Sequence, residues 1–124
     1  MIFGIGTDIT DVKRFHSWVE KGEMITRFFN EKEMNKASSI QSSSEHYAAR
    51  FAAKEAFGKA LGTGIFGFDL KEIYITNDEK GKPELNVTGK ARRELENRCR
   101  NPKVLVSLSH EKDYAIAYVV IESD

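Results

Sequence analysis

The sequence RFAAKEAFGKALGTG at residues 50–64 is rich in alanine, contains no proline and predicts a helix that ends in Gly-Thr-Gly. At about 3.6 residues per turn, Glu55 and Lys59 lie one turn apart on the same helical face. Together with the glycine-rich exit they would form a binding site for a metal-bound phosphate. Alternatively, they form an ordinary surface ion pair worth about 0.3–0.5 kcal/mol. Gly58 costs roughly 1 kcal/mol relative to alanine inside a helix, which indicates that another group approaches the backbone there.

The composition predicts one globular domain without a strong surface charge. The chain has 124 residues, and we expect a single domain that spans residues 1–124. Its 19 basic and 19 acidic residues balance, which argues against general binding to nucleic acids or membranes. The single cysteine, Cys99, excludes an internal disulfide and favours a reducing cytoplasm as the location. The sequence contains neither an apolar run of roughly 18 residues nor a basic-then-apolar leader, so we expect no membrane anchor and no export.

Hydrophobic periodicity predicts short strands that alternate with helices. The predicted elements are a strand at residues 1–10, helices at about 11–20, 30–37 and 45–61, strands at 73–76 and 83–87, a helix at about 88–99, and strands at 104–110 and 114–121. Thr10 or Asp11 would cap the first helix, and Asn30 with Glu33 resembles a capping box. Residues 25–29 are predicted to be an apolar link, and the serine-rich segment 38–44 a loop whose last serine caps the long helix. This order favours an α+β fold, with a mostly antiparallel sheet and the long helix packed on it.

Four short motifs follow one another along the chain. They are GTD at residues 6–8, RFAAKEA at 50–56, KALGTG at 59–64 and SLSH at 107–110. In order and spacing they resemble the signatures of the 4'-phosphopantetheinyl transferases, and specifically the small bacterial holo-acyl-carrier-protein synthases, over nearly the whole chain. The resemblance implies that family's single-domain fold. It also implies transfer of 4'-phosphopantetheine from coenzyme A to a serine of apo-acyl carrier protein, with release of adenosine 3',5'-bisphosphate, in support of fatty acid biosynthesis.

This reaction needs no nucleophile from the enzyme, because the serine hydroxyl of the carrier protein attacks the pyrophosphate. Mg²⁺ suits the reaction, since it binds one or two carboxylates together with phosphate oxygens and waters. The resemblance makes Asp8 and Glu55 the metal ligands. Lys59 would contact the pyrophosphate as a point charge and assist the leaving group. Glu55 would be the general base, directly or through a metal-bound water.

The resemblance also implies which residues contact the coenzyme. They are Arg50, Lys54, Gly62, Thr63, Gly64, Lys82, Pro83, Ser109 and His110. His110 would reach a phosphate, whereas the loop with Lys82 would meet the adenosine end. The alternatives are a histidine that caps a strand and a lysine that is solvated in a turn. His16 and His46 lack such a context, and we expect them to be surface residues.

A carrier-docking surface is predicted on the first helix. Acyl carrier proteins are small and acidic, so their docking surface should be basic with an apolar centre. Arg14, Trp18 and Lys21 fall at helical spacing and would place two cations around an aromatic anchor, which resembles the carrier-binding helix of the family. Alternatively, Trp18 packs in the core. The arginines between residues 92 and 100 alternate with glutamates and predict a solvated helix face.

The resemblance implies a trimer, which is the family precedent for a chain of this length. The larger relatives of the family carry two similar halves in one chain, and this sequence corresponds to one half. Asp8 and Glu55 would then come from one subunit and part of the coenzyme cradle from its neighbour. Two other functions remain open: a Mg²⁺-dependent phosphohydrolase that activates water, and a non-catalytic module that binds coenzyme A or a carrier protein. The intact set of Asp8, Glu55 and Lys59 argues against the second.

Overall fold

The computed structural model describes residues 1–35, 37 and 39–124, and within these ranges five strands and four helices follow in the order β1-α1-α2-α3-β2-β3-α4-β4-β5. Their bounds are Ile2–Asp11 (β1), Arg14–Lys21 (α1), Glu23–Phe28 (α2), Ile40–Leu61 (α3), Ile73–Asn77 (β2), Pro83–Val87 (β3), Gly89–Arg98 (α4), Lys103–His110 (β4) and Tyr114–Glu122 (β5). Single 3₁₀ turns occur at Glu31–Glu33 and Leu70–Glu72. None of the helices in this part of the chain is long and apolar enough to cross a membrane.

Two antiparallel sheets flank the long helix. The larger sheet has the strand order β1-β5-β4, and β2 pairs with β3 in a separate hairpin. Alternate residues of β5, from Ala115 to Ile121, are buried, and the last three of them join a core cluster with the alanines of α3. The predicted α+β architecture, with antiparallel pairing and the long helix packed on the sheet, is confirmed.

Strand β1 lies directly against α3 because two of its residues are glycines. A methyl group at Gly4 would overlap the carbonyl oxygen of Ala60, and one at Gly6 would overlap that of Ala56. Small residues on both elements therefore let the two backbones meet. This contact brings the end of β1 against the middle of α3.

Gly58 is required by the loop that follows α3. A side chain at this position would overlap the backbone of Gly64. The carbonyl oxygen of Gly58 accepts three amide hydrogen bonds, from Gly62 at 3.0 Å, Thr63 at 3.2 Å and Gly64 at 3.0 Å. The expected close approach to Gly58 is thus confirmed, and the approaching group is the chain's own exit loop.

The second helix lies at a different place from the predicted one. Residues 25–29, expected to be a link, fall mostly within α2, which buries Ile25. The predicted helix at 30–37 is only the 3₁₀ turn Glu31–Glu33, and Lys36 near its end lies outside the described residues. Its capping box is confirmed. The turn stops at Glu33, whose buried carboxylate is held by residues from other elements, and the backbone continues extended.

Helix α3 begins earlier than predicted. The Ser39 hydroxyl accepts a hydrogen bond from the amide of Ser42 and caps the helix, so residues 40–44 are helical instead of a loop. Ser38 lies outside the described residues. Helix α1 begins three residues later than predicted, at Arg14, and the Asp11 carboxylate accepts from the amide of Lys13 just before it.

Candidate active site

Asp8 and Lys59 form an ion pair where β1 meets α3. Lys59 Nζ lies 3.2 Å from Asp8 Oδ1 and donates to the carbonyl oxygen of Thr7 at 3.0 Å. The other carboxylate oxygen of Asp8 accepts from the Thr10 hydroxyl at 3.0 Å. Lys59 therefore pairs with Asp8. The alternative expected from helical spacing, a surface ion pair with Glu55, is not formed. The Lys59 side chain is 54% exposed, so its charge faces solvent and any ligand that binds there.

Glu55 lies close enough to Asp8 for the two carboxylates to repel each other. Burial raises the pKa of Glu55, and the negative charge of Asp8 raises it further, against the opposite effect of Lys59 and Arg14. A divalent cation between the two carboxylates would relieve this repulsion. No cluster of three or more His, Cys, Asp or Glu side chains suited to a metal occurs in residues 1–35, 37 and 39–124. Two carboxylates fit Mg²⁺, which takes its remaining ligands from phosphate and water.

A cleft of about 420 Å³ opens between α3, the β2–β3 turn and the end of β4. Its lining consists of Ser42, Glu45, His46, Ala49, Arg50, Asn77, Gly81, Pro83, Leu108 and His110. We call it the coenzyme cleft, because it unites three of the residues that the resemblance assigns to the coenzyme: Arg50, Pro83 and His110. Its volume lies within the range of roughly 300–1,000 Å³ that is typical of small-molecule sites.

Arg50 supplies a fixed positive charge to the coenzyme cleft. One terminal nitrogen donates to the carbonyl oxygen of His46 and the other to Asn77 Oδ1, both at 3.2 Å. Arg50 Nε is buried and has no hydrogen-bond partner among the described residues. Burial lowers the pKa of Arg50, and the negative charge of Glu33 opposes this effect. The guanidinium group is thus held at two of its nitrogens while it lines the cleft.

His46 and His16 are not the free surface residues that the sequence predicts. His46 is half-buried, and its Nε2 donates to the carbonyl oxygen of Glu33 at 2.6 Å. Burial, followed by the charge of Arg50, lowers the pKa of His46 from 6.5 to about 4. At neutral pH it therefore adds no positive charge to the coenzyme cleft. His16 is also half-buried and contacts Gln41 across the α1–α3 boundary.

Lys54 is a core residue, and its predicted contact with the coenzyme is wrong. Its side chain is 0% exposed, and Nζ lies 2.7 Å from Glu33 Oε1. Nζ also donates to the carbonyl oxygens of Leu70 at 2.9 Å and Ile73 at 2.5 Å. Burial lowers the pKa of Lys54, and the Glu33 carboxylate opposes this effect. All three donors of the ammonium group are used inside the protein, so none is left for a ligand.

The remaining predicted coenzyme residues lie outside the coenzyme cleft. The amides of Gly62, Thr63 and Gly64 all donate to Gly58, so the phosphate site expected at this loop is not formed by those amides. Lys82 is exposed and lines a second groove of about 560 Å³ between β3 and β4, while Ser109 is exposed near the end of β4. The lining of the coenzyme cleft also excludes Asp8, Glu55 and Lys59, so one chain presents the predicted site in two separate parts.

The predicted docking residues lie on and beside an aromatic cluster. The guanidinium carbon of Arg14 lies 5.0 Å from the ring centre of Phe51 and 5.3 Å from that of Trp18. Trp18 is half-buried and packs edge-on against Phe15 at 4.6 Å, so it contributes to the core and to the surface. Lys21, at the end of α1, is exposed.

The face of the larger sheet that points away from α3 carries many exposed apolar side chains. We call it the outer sheet face. Its exposed members on β1, β4 and β5 are Phe3, Ile5, Ile9, Leu105, Tyr114 and Tyr118, with exposed fractions that reach 70% for Ile5. A contiguous apolar surface of this kind indicates an interaction site. The sequence offered a signal for it, since Phe3, Ile5 and Ile9 all lie at odd positions of β1, opposite the glycines that meet α3.

Comparison with known proteins points to one family. The family model described as the 4'-phosphopantetheinyl transferase superfamily matches residues 4–119. The holo-[acyl-carrier-protein] synthase of Geobacter sulfurreducens is 46% identical, over 98% of both chains, and that of Treponema denticola is 43% identical, over 98% of this chain and 99% of its own.

Solved structures of similar proteins cover the whole fold. The holo-[acyl-carrier-protein] synthase of Neisseria meningitidis has a TM-score of 0.85 at 37% identity, over 99% of this chain and 100% of its own. The holo-(acyl-carrier-protein) synthase of Bacillus anthracis, solved in complex with CoA (3',5'-ADP), has a TM-score of 0.78 at 36% identity, over 100% of this chain and 99% of its own.

Proposed function

Because the chain belongs to the 4'-phosphopantetheinyl transferase superfamily, we propose that it transfers the 4'-phosphopantetheine group of coenzyme A to a serine of an apo-acyl carrier protein. The reaction would release adenosine 3',5'-bisphosphate, depend on Mg²⁺ and support fatty acid biosynthesis. The observation that carries the proposal is the ion pair of Asp8 and Lys59 at the contact between β1 and α3, with Glu55 near enough for both charges to shift its pKa.

Asp8 and Glu55 would hold the Mg²⁺ ion, which would supply positive charge to the pyrophosphate when bound. Lys59 is exposed enough to exchange its contact with Asp8 for a phosphate oxygen of the leaving group. Glu55 would also take the proton of the carrier serine, directly or through a metal-bound water molecule, as the resemblance to the family implies.

The coenzyme cleft would take the nucleotide end of coenzyme A. Arg50 offers a fixed positive charge, and His110 at the end of β4 offers a ring nitrogen to a phosphate. The apolar side chains of Ala49, Pro83 and Leu108 in the same lining suit the adenine ring. The neighbouring residues Lys82 and Ser109 remain proposed contacts at the rim.

A homotrimer would complete the site. The coenzyme cleft and the Asp8–Lys59 pair occupy separate parts of one chain, so association of subunits would let the cleft of one face the carboxylates of another. The outer sheet face supports this proposal, because Ile5, Ile9 and Tyr118 are each more than half exposed in a single chain. Light scattering at micromolar concentration should give a mass of three chains, and an active monomer would contradict the proposal.

The carrier protein would dock on α1. Arg14 and Lys21 would contact its acidic side chains, and the partly exposed ring of Trp18 its apolar ones. Arg14 lies over the ring of Phe51, one helical turn before Glu55, so a carrier held there would present its serine near the carboxylates.

The test is a mass measurement on the carrier protein. The enzyme is incubated with coenzyme A, Mg²⁺ and an apo-acyl carrier protein, and we expect the carrier to gain one phosphopantetheine. Omission of Mg²⁺ should abolish the gain. Loss of coenzyme A without a carrier would favour the phosphohydrolase instead, and binding of coenzyme A without any reaction would favour the non-catalytic module.

A further inference from the structure

One side-chain amide, that of Gln41, joins three elements of the fold. Gln41 Nε2 donates to Glu45 Oε2 at 2.9 Å and to the carbonyl oxygen of Lys112 at 3.0 Å. Gln41 Oε1 lies 3.3 Å from His16 Nε2. The half-buried amide in the first turn of α3 thus contacts its own helix, the β4–β5 turn and α1.

The partners of Gln41 determine the direction of each hydrogen bond. The Glu45 carboxylate and the Lys112 carbonyl group only accept, so both must face the amino group of the amide. The amide oxygen then faces His16, whose Nε2 carries the proton and donates it. A methionine at position 41 would be of similar length and would remove all three contacts without adding charge.

Gln41 bridges two walls of the coenzyme cleft. Ser42 and Glu45, which follow it on α3, line one wall, and His110, two residues before Lys112, lines the opposite wall. The hydrogen bond from Gln41 to Lys112 therefore holds the turn that carries His110 at a fixed distance from α3.

The same amide ties the coenzyme cleft to the helix with the proposed docking residues. His16 lies on α1 between Arg14 and Trp18. A second hydrogen bond connects the segment just before α1 with the β4–β5 turn, since the amide of Val12 donates to the carbonyl oxygen of Asp113 at 2.9 Å. A shift of α1 on carrier docking would thus be transmitted to the β4–β5 turn.

We propose that Gln41 is a positioning residue that sets the width of the coenzyme cleft and couples it to α1, so that coenzyme and carrier protein bind cooperatively. The inference rests on the proposed function, which supplies the two ligands. Loss of one or two hydrogen bonds of this kind changes an equilibrium constant by about fivefold to tenfold. Coupling between two sites is reciprocal, so it can be measured from either ligand.

The experiment compares the parent enzyme with Gln41→Met, His16→Ala and, as a matched control, Ile40→Ala, which alters an exposed neighbour in the same helical turn. Steady-state kinetics gives kcat and the KM for coenzyme A. Calorimetry gives the Kd of adenosine 3',5'-bisphosphate with and without apo-carrier protein. We expect Gln41→Met to raise the KM and this Kd by about fivefold to tenfold, with kcat within about twofold.

His16→Ala should leave the KM for coenzyme A near that of the parent but remove the effect of the carrier protein on nucleotide binding. Ile40→Ala should change neither quantity. A Gln41→Met enzyme with a lower kcat and an unchanged KM would assign Gln41 to stability alone and overturn the inference. A parent enzyme whose nucleotide Kd ignores the carrier protein would overturn the coupling. A parent enzyme that modifies no carrier would instead contradict the proposed function.

Discussion

Lys54→Met removes the ammonium group that neutralises Glu33 inside the core. Both side chains are 0% exposed, and Lys54 also satisfies the carbonyl oxygens of Leu70 and Ile73. In the variant the Glu33 carboxylate would keep its hydrogen bonds from the amides of Asn30 and Ile75 but lose its counter-charge. A buried charge left without its partner typically costs about 3–5 kcal/mol, and we expect a loss of this size in the free energy of unfolding.

The loss can be measured by urea unfolding followed by circular dichroism. For a domain of this length, 1 kcal/mol corresponds to roughly 3–5 °C in Tm, so the variant should melt about 10–25 °C below the parent. Lys90→Met, at an exposed position on α4, is the control and should stay within about 0.5 kcal/mol of the parent. The double variant Glu33→Gln/Lys54→Met should recover part of the loss, because it removes the uncompensated charge.

Two results would refute this reasoning about Lys54. One is a Lys54→Met protein within about 1 kcal/mol of the parent, which would mean that Glu33 is not held as a buried anion. The other is a large rise in the KM for coenzyme A at a temperature where the variant is fully folded, which would return Lys54 to the coenzyme path.

Four further predictions concern the site and its surroundings. Asp8→Ala and Glu55→Ala should each lower turnover by orders of magnitude without unfolding the protein, and a chelator should do the same to the parent enzyme. Lys59→Ala should lower kcat by roughly 10²–10³ while coenzyme binding weakens only moderately, as isothermal titration would show. Arg14→Glu should raise the KM for the carrier protein at low salt, and the parent rate should fall as salt rises. The pKa of His46 is about 4 in the folded protein and 6.5 in the unfolded chain, so only the unfolded state binds the proton between these values. The free energy of unfolding should therefore decrease as the pH falls from 6.5 to 4. In urea titrations, His46→Gln should make this decrease smaller.

Each of these expectations has a contradicting result. Near-parent turnover in Asp8→Ala or Glu55→Ala would remove that carboxylate from the metal site. An effect of Lys59→Ala confined to the KM for coenzyme A would mean that Lys59 binds ground state and transition state alike. Unaltered carrier kinetics in Arg14→Glu would move docking away from α1, and an unchanged pH slope in His46→Gln would assign the acid instability to other groups.

Periodicity and short motifs predicted the type and order of every strand and of every helix except the second. The alternation in β5 matches one buried face of the sheet, and the alanine-rich run of α3 matches a helix that is buried on nearly all sides, so pattern and burial agree. The serine-rich segment was wrongly predicted to be a loop, because serine is common both in loops and at helix starts. Only the hydrogen bond from the amide of Ser42 to the Ser39 hydroxyl shows that a helix begins there. The helix predicted at residues 30–37 was wrong for another reason, because a capping box indicates where a helix starts but not how long it is.

The site was predicted in part. Asp8 and Lys59 meet across the β1–α3 contact, which no spacing in the sequence reveals, whereas the motifs pointed to both residues. The coenzyme contact predicted for Lys54 was wrong, because the sequence of an alanine-rich helix does not show which way a lysine side chain points. Its partner Glu33 is 21 residues away in the chain. Gln41 gave no signal at all, because its three hydrogen bonds depend on how α1 and the β4–β5 turn pack.

The contact of β1 with α3 limits how this enzyme can be redesigned. Backbone meets backbone at Gly4 and Gly6, so the spacing between the two carboxylates cannot be adjusted by exchanging one side chain for a larger or smaller one. A wider spacing would require the whole strand to move, together with the β5 strand to which it is hydrogen-bonded. Substitutions meant to alter the proposed metal site should therefore leave the contact between β1 and α3 unchanged.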